Sequence, residues 1–213
     1  MTWQIATGAL VGALLGYGGG RLAPRWLERS PMKAWEPFVL AAVTAVLAGY
    51  LAVGHPLDLY FWQHVIFVGI LATASLVDLH DRIIPNELVI AGLIAGVIAV
   101  FAAPYAGRTW LDGLLGMVAA FALFLLLALL VKGGMGMGDV KLSAVIGLFL
   151  GIRWVAMGLI LAFLAGGVVS IFLLIGRAVG RKDYIPFGPW LAVGAIVTAI
   201  WGLAIWVWYM GIY

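Results

Sequence analysis

Leu114-Leu115-Gly116-Met117-Val118-Ala119-Ala120-Phe121-Ala122-Leu123-Phe124-Leu125-Leu126-Leu127-Ala128-Leu129-Leu130-Val131 holds no charge, no hydroxyl and no side-chain amide. A helix that crosses about 30 Å of hydrocarbon needs about 20 mostly apolar residues, and this stretch, taken from Leu111, supplies them. Outward from it in both directions the same pattern repeats. The candidate spans are Trp3–Gly20, Pro37–Gly54, Tyr60–Val77, Glu87–Tyr105, Leu111–Val131, Asp139–Ile152, Trp154–Gly176 and Phe187–Met210. The sixth is short unless it begins at the Gly-Met-Gly-Asp turn, and it reads either as a short crossing or as a re-entrant helix. The fold class expected is all-α: a polytopic membrane bundle of about eight transmembrane helices. Residues 1–213 form a single integral-membrane domain without linker, low-complexity tract or internal repeat.

Composition points the same way. The chain is 65% hydrophobic and 10% charged, against about 25% charged in an average soluble domain, and its mean hydropathy is +1.16. There are no cysteines, which removes disulfides, thiol nucleophiles and thiolate zinc sites. The net charge of +3 is explained by loop residues that set topology, so the bilayer and not nucleic acid is the expected partner. The start, Met1-Thr2-Trp3-Gln4-Ile5, has no basic residue before its apolar run, unlike a secretory signal, so the first segment reads as a retained span.

Charge asymmetry sets the orientation. With the N-terminus outside, the inner loops hold Arg21, Arg25, Arg29, Lys33, Arg82, Lys132, Lys141, Arg177, Arg181 and Lys182, which is ten of the twelve Lys and Arg. Only Arg108 and Arg153 fall outside, as the positive-inside rule requires. Merging spans six and seven would bury Arg153 and turn the basic loop 177–182 outward, so a turn is expected at Gly151-Ile152-Arg153. Gly12–Gly16 and Gly16–Gly20 have the spacing that lets helices approach closely in lipid.

Within this apolar chain two aspartates stand out. Asp78 ends the third span and Asp139 begins the sixth. Two crossings separate them, so both lie at the same, cytoplasmic, face. Carboxylates at a membrane are costly and are usually functional. Two that meet cannot both ionise easily: one stays protonated while the other is a base. The base activates water, and the acid polarises a peptide carbonyl and then protonates the leaving amine. Glycines 133, 134, 136 and 138 beside Asp139 offer close backbone approach and a hinge. Read singly, Asp78 could mark the interface and Asp139 could be an N-cap. Their coincidence on one face favours two-carboxylate hydrolysis, with a small proton-coupled transporter using the same acids as the alternative. Carrier acids belong near the midplane, whereas these lie at span ends.

At these residues the chain resembles the type IV prepilin peptidases, within the GxGD membrane aspartyl proteases. Three motifs carry the resemblance, over roughly Tyr60 to the C-terminus. Asp78 is followed seven positions later by the proline of Ile84-Pro85-Asn86. Gly136-Met137-Gly138-Asp139 is followed by Val140-Lys141-Leu142. Ile185-Pro186-Phe187-Gly188-Pro189 precedes the last span. The resemblance implies Asp78 and Asp139 as the catalytic pair, supported by Pro85, Asn86, Gly136, Gly138, Lys141, Pro186, Gly188 and Pro189. It implies prepilin or pseudopilin precursors as substrates, cut at the cytoplasmic side of the cell membrane next to a short basic leader. Lys141 is placed either to orient Asp139 or to anchor the interface, and residues 186–189 to shape the mouth of the site without chemical role. Asp81 is expected as a solvated loop acid or cap. Glu28 and Glu36 are candidates to meet a basic leader.

The chain departs from the longer family members in its first loop. Many carry there a large insertion with paired Cys-x-x-Cys motifs that bind zinc, and they also methylate the new N-terminus. Here the loop is about Arg21 to Glu36, without cysteine, so peptidase activity is expected and methylation is left open. His55, His64 and His80 show no metal-ligand spacing, and neither metal nor cofactor is expected. His80, close to Asp78, is read as a loop histidine. The tryptophans near span ends, Trp3, Trp35, Trp62, Trp110, Trp154, Trp190 and Trp208, read as interfacial anchors.

Overall fold

The computed structural model describes residues 2–28, 31–55, 57–102, 109–130, 135–177 and 185–211. They form seven α-helices: α1 (Thr2–Leu22), α2 (Glu36–Gly54), α3 (Leu59–Asp81), α4 (Asn86–Ala102), α5 (Trp110–Leu130), α6 (Met137–Ile175) and α7 (Gly188–Met210). A single 3-10 turn, Ala23–Arg25, follows α1, and there is no strand among the described residues. Five helices, α2, α3, α5, α6 and α7, are long and apolar enough to cross a membrane. α4 is apolar but shorter, and glycine-rich α1 does not reach that apolarity. The chain is thus an all-helical, multi-pass membrane protein.

The count of separate helices is seven rather than the eight expected. The spans read as Asp139–Ile152 and Trp154–Gly176 run together in α6. They are not one straight rod. Gly151 inside α6 has φ 72° and ψ 170°, a backbone region open essentially to glycine alone. The break falls where the Arg153 argument placed a turn. Before it, α6 is buried on all sides: Leu142 to Gly151 are without exception buried. This half is the axis of the bundle, with Phe67 of α3 stacked on its Phe149 at 4.5 Å between ring centroids. A helix wrapped by protein does not need its length matched to lipid, which is why its sequence reads short.

Lipid supplies no hydrophobic drive between helices, so small residues and close backbone contact must hold them together. Gly8, Gly12, Gly16 and Gly20 are the buried residues of α1 and form the stripe that meets α2. A methyl group at Gly12 would collide with the Thr44 carbonyl, and Thr44 Oγ1 donates across the seam to the Gly12 carbonyl at 2.6 Å. Gly116 of α5 and Gly147 of α6 face each other so tightly that a methyl on either would overlap the other's carbonyl. Gly194 of α7 lies against Gly158 of α6, where a methyl on Gly194 would overlap the Gly158 carbonyl. The large apolar side chains point outward instead: Leu126, Leu129 and Leu130 of α5 are exposed while Gly113, Gly116, Ala120 and Phe124 are buried. This is the pattern of a bundle solvated by lipid.

Gly147→Val should therefore destabilise the protein by roughly 1–3 kcal/mol through overpacking, and Gly151→Ala by a similar ~1–3 kcal/mol through its backbone angles. Gly18→Ala, with nothing within 4 Å of the new methyl, should be neutral or slightly stabilising. Thermal unfolding in detergent, followed by circular dichroism, checks all three.

Candidate active site

α3 runs into the site and stops there. Asp78 lies in its last turn. Arg82 caps the helix in the left-handed conformation, φ 59°, with its N–H bonded to the Asp78 carbonyl at 2.9 Å. A left-handed arginine costs about 1–2 kcal/mol, and the turn it makes folds the following Ile84-Pro85 back into the protein, where both are buried. There Ile84 packs on Gly138: a methyl at Gly138 would stand 3.0 Å from Ile84 Cβ. The Ile-Pro-Asn and Gly-x-Gly-Asp motifs are thus two sides of one contact. Asn86 starts α4, and its Oδ1 accepts a hydrogen bond from Lys141 Nζ at 2.8 Å. That exposed bond ties the first turns of α4 and α6 together. Lys141 is therefore occupied by Asn86.

Asp139 stands in the first turn of α6. Gly136, extended at φ −75° and ψ 145°, caps that helix, and its carbonyl accepts from the Asp139 N–H at 3.1 Å. Asp78 and Asp139 are each 3% exposed, and they lie close enough for the charge of one to act on the other. The structure thus brings the two acids to one end of the bundle. Arg82 is the cation whose charge reaches Asp78. Glycines 133 and 134, expected as part of a hinge, lie outside the described residues.

The third motif meets the first directly. The Gly188 backbone N–H donates to Asp78 Oδ2 at 2.9 Å. Gly188 is the first residue of α7, so the carboxylate sits at a helix N-terminus, where the dipole favours negative charge. A methyl at Gly188 would stand 2.7 Å from Asp78 Oδ2, so any other residue there must displace the carboxylate. This corrects the expectation that the stretch only shapes a mouth. Pro189 in the first turn beside glycine was a helix-start signal, and it could have placed this N–H in advance. Pro186 and Phe187 are half-buried. The Phe187 ring lies 5.1 Å from Phe163 and 6.2 Å from Phe124, centroid to centroid, which fixes the approach to α7.

Three other expectations are corrected. Asp81 is not solvated: it is 4% exposed, and its Oδ2 accepts the Glu28 backbone N–H. His80 lies in the last turn of α3 rather than in a loop, and its Nε2 meets Glu36 Oε2 at 2.9 Å. Glu36 is itself buried and also accepts the Lys33 N–H at 3.1 Å. It is therefore not available to greet a basic leader. Together these bonds strap the segment between α1 and α2 onto the end of α3, beside Asp78. No periodicity or motif signals such a long-range pairing in the sequence.

A cavity of about 450 Å³ lies elsewhere, lined by His64, Arg153 and Thr198 among others. His64 is fourteen residues before Asp78 on α3, about 21 Å along the helix, so this cavity is not part of the aspartate site.

Residues 65–171 match the sequence profile of the type IV leader peptidase family. The match contains Asp78 and Asp139 and ends before the Ile185–Pro189 stretch. The chain is 30% identical over 160 residues to a prepilin leader peptidase/N-methyltransferase of Bacillus subtilis, covering 75% of this chain and 64% of that protein. It is 31% identical over 168 residues to the protein of the same name from Pseudomonas aeruginosa, covering 75% of this chain and 56% of the relative. For the Legionella pneumophila protein of that name the identity is 30% over 189 residues, 85% of this chain and 64% of the relative. The chain thus spans between about half and two thirds of the length of these curated relatives. No solved structure matches it. With half of its length under the family profile, and with both aspartates inside that half, the chain belongs to the type IV leader peptidase family.

Proposed function

We propose that this protein is a membrane aspartyl endopeptidase that removes the short basic leader from prepilin-like or pseudopilin precursors, using Asp78 and Asp139 at the cytoplasmic face of the cell membrane. The observation that carries this reading is the pair itself: two buried, mutually interacting carboxylates at the same end of a membrane bundle, one held by the Gly188 N–H. The carrier reading finds no support beside family membership in the leader peptidases.

In the proposed reaction the pair holds one proton between its two carboxyl groups. The ionised member takes a proton from a water molecule as that water attacks the scissile carbonyl carbon. The protonated member hydrogen-bonds the carbonyl oxygen, and a proton then passes to the leaving amine as the C–N bond breaks. No covalent acyl-enzyme forms. The Gly188 N–H fixes one oxygen of Asp78, which leaves the other to face substrate or Asp139. The Lys141–Asn86 bond and the Gly138–Ile84 contact hold α6 in register against α3 and α4, so the acids keep their separation. The substrate's apolar helix lies in the bilayer beside the bundle, and its cleavage junction reaches the aspartates at the membrane edge. Methylation of the new N-terminus, an activity for which the longer relatives are named, forms no part of this proposal.

The topology that goes with this function has eight crossings and an external N-terminus. It is supported by the helix break at Gly151 and by the basic loops. The absence of native cysteine makes the test clean. Ile83→Cys in intact cells should resist a membrane-impermeant maleimide and label only after lysis, while Trp110→Cys should label from outside.

Cleavage of a prepilin bearing a Gly-Phe junction, in liposomes, tests the chemistry. Asp78→Asn and Asp139→Asn should each lower the rate by ~10²–10⁴-fold, the range of general acid–base catalysis. Asp81→Asn, which keeps an acceptor for the Glu28 N–H, should stay active. Cleavage that survives both of the first two substitutions refutes the mechanism. Gly188→Ala should displace Asp78 and cost about 10²-fold in kcat, as a misplacement near 1 Å does, with KM much less affected.

A further inference from the structure

The cavity at the far end of the bundle has a construction of its own. It is enclosed by the start of α3, the start of α5, the Gly151 break in α6 and the middle of α7, and its volume is about 450 Å³. One wall is polar and rigid. The Tyr60 ring makes tilted contacts with two histidines, His55 at 3.9 Å and His64 at 3.7 Å between ring centroids. His64 Nδ1 is bonded to the Tyr60 carbonyl at 2.8 Å, and the Tyr60 hydroxyl donates to the Ala199 carbonyl at 3.3 Å. The lining also includes the aromatic rings of Phe149 and Trp154.

One feature of this cavity is unexplained by the fold. Thr198 lines it, is 4% exposed, and its Oγ1 has no hydrogen-bond partner among the described residues. Buried hydroxyls without a partner are rare. Arg153, exposed, and Asp112, half-buried, line the same cavity, and they form no ion pair with each other. Asp112, in the first turn of α5, accepts the N–H of the capping Thr109 through Oδ2 at 3.2 Å, which leaves its second oxygen for another donor. One cavity thus offers a guanidinium, a carboxylate and a buried hydroxyl. A ligand that bridges them carries both charges.

We propose that this cavity binds the head of a membrane phospholipid that bears a phosphate and a primary ammonium. Arg153 takes the phosphate, a pairing for which guanidinium geometry is suited. Asp112 takes the ammonium, and Thr198 supplies a hydrogen bond to the buried part of the head. The acyl chains leave over the exposed apolar flank at Leu111 and Leu203. The site is independent of the peptidase reading, because it lies at the other end of α3.

The test uses the full chain in detergent, exchanged against equal amounts of phosphatidylethanolamine, phosphatidylcholine and phosphatidylglycerol, with retained lipid counted by native mass spectrometry. Phosphatidylethanolamine should be retained about tenfold over the other two. Arg153→Gln, Asp112→Asn and Thr198→Val should each reduce that preference severalfold while the melting temperature in lipid-free detergent stays unchanged. Asn at 112 keeps an acceptor for the Thr109 N–H, so a loss there reports charge and not folding. Equal retention of all three lipids overturns the proposal, as does wild-type retention by the two charge variants. Free phosphoethanolamine that protects the protein as well as the lipid does would overturn the membrane source.

Discussion

The Asp78 carboxylate must be held at the edge of a bilayer, and one backbone N–H, that of Gly188, holds it. A buried carboxylate without hydrogen bonds is too costly to persist. Here α3 brings the acid and α7 brings the donor, from positions 110 residues apart in sequence. Everything near the site serves that meeting. Arg82 ends α3 one turn later, Pro189 lets α7 begin on time, and the glycine at 188 leaves space for the oxygen. Asp139 then needs only to arrive at the same depth, and the Gly138–Ile84 contact sets that depth.

The rest of the bundle is built to make these meetings rigid without the hydrophobic effect. Helix pairs α1–α2, α5–α6 and α6–α7 close on glycine, with backbone against backbone. Such seams tolerate no added methyl, so they have one register. The buried first half of α6 inherits its position from seams on both sides, and Asp139 is at its leading end. Packing on small residues in the middle of the bundle is thereby connected to the placement of Asp139 at its end.

Much of this was legible in the sequence, and the reason differs from element to element. The spans were visible because lipid demands long apolar runs, and the common face of Asp78 and Asp139 followed from counting two crossings between them. The α1 glycine stripe was visible because its spacing of four is a helical one. What was not legible depends on tertiary contact. The division of α6 was expected as two spans but is one helix broken at a single residue, because glycine leaves the choice of angle to its surroundings. The Gly188 bond to Asp78, the Glu36–His80 pair and the burial of Asp81 each join segments distant in sequence, and no local pattern encodes the partner. The polar cavity gathers residues from four helices that have nothing in common in sequence.

The central claim is that the two aspartates act as a single unit. A double-mutant comparison tests it most directly. Residues that work as one unit are strongly non-additive, so removing both costs no more than removing one. The cleavage rate of the Asp78→Asn/Asp139→Asn protein should equal that of either single variant. Rates that fall multiplicatively in the double variant would mean that the two carboxylates contribute independently, and the shared-proton mechanism would be wrong.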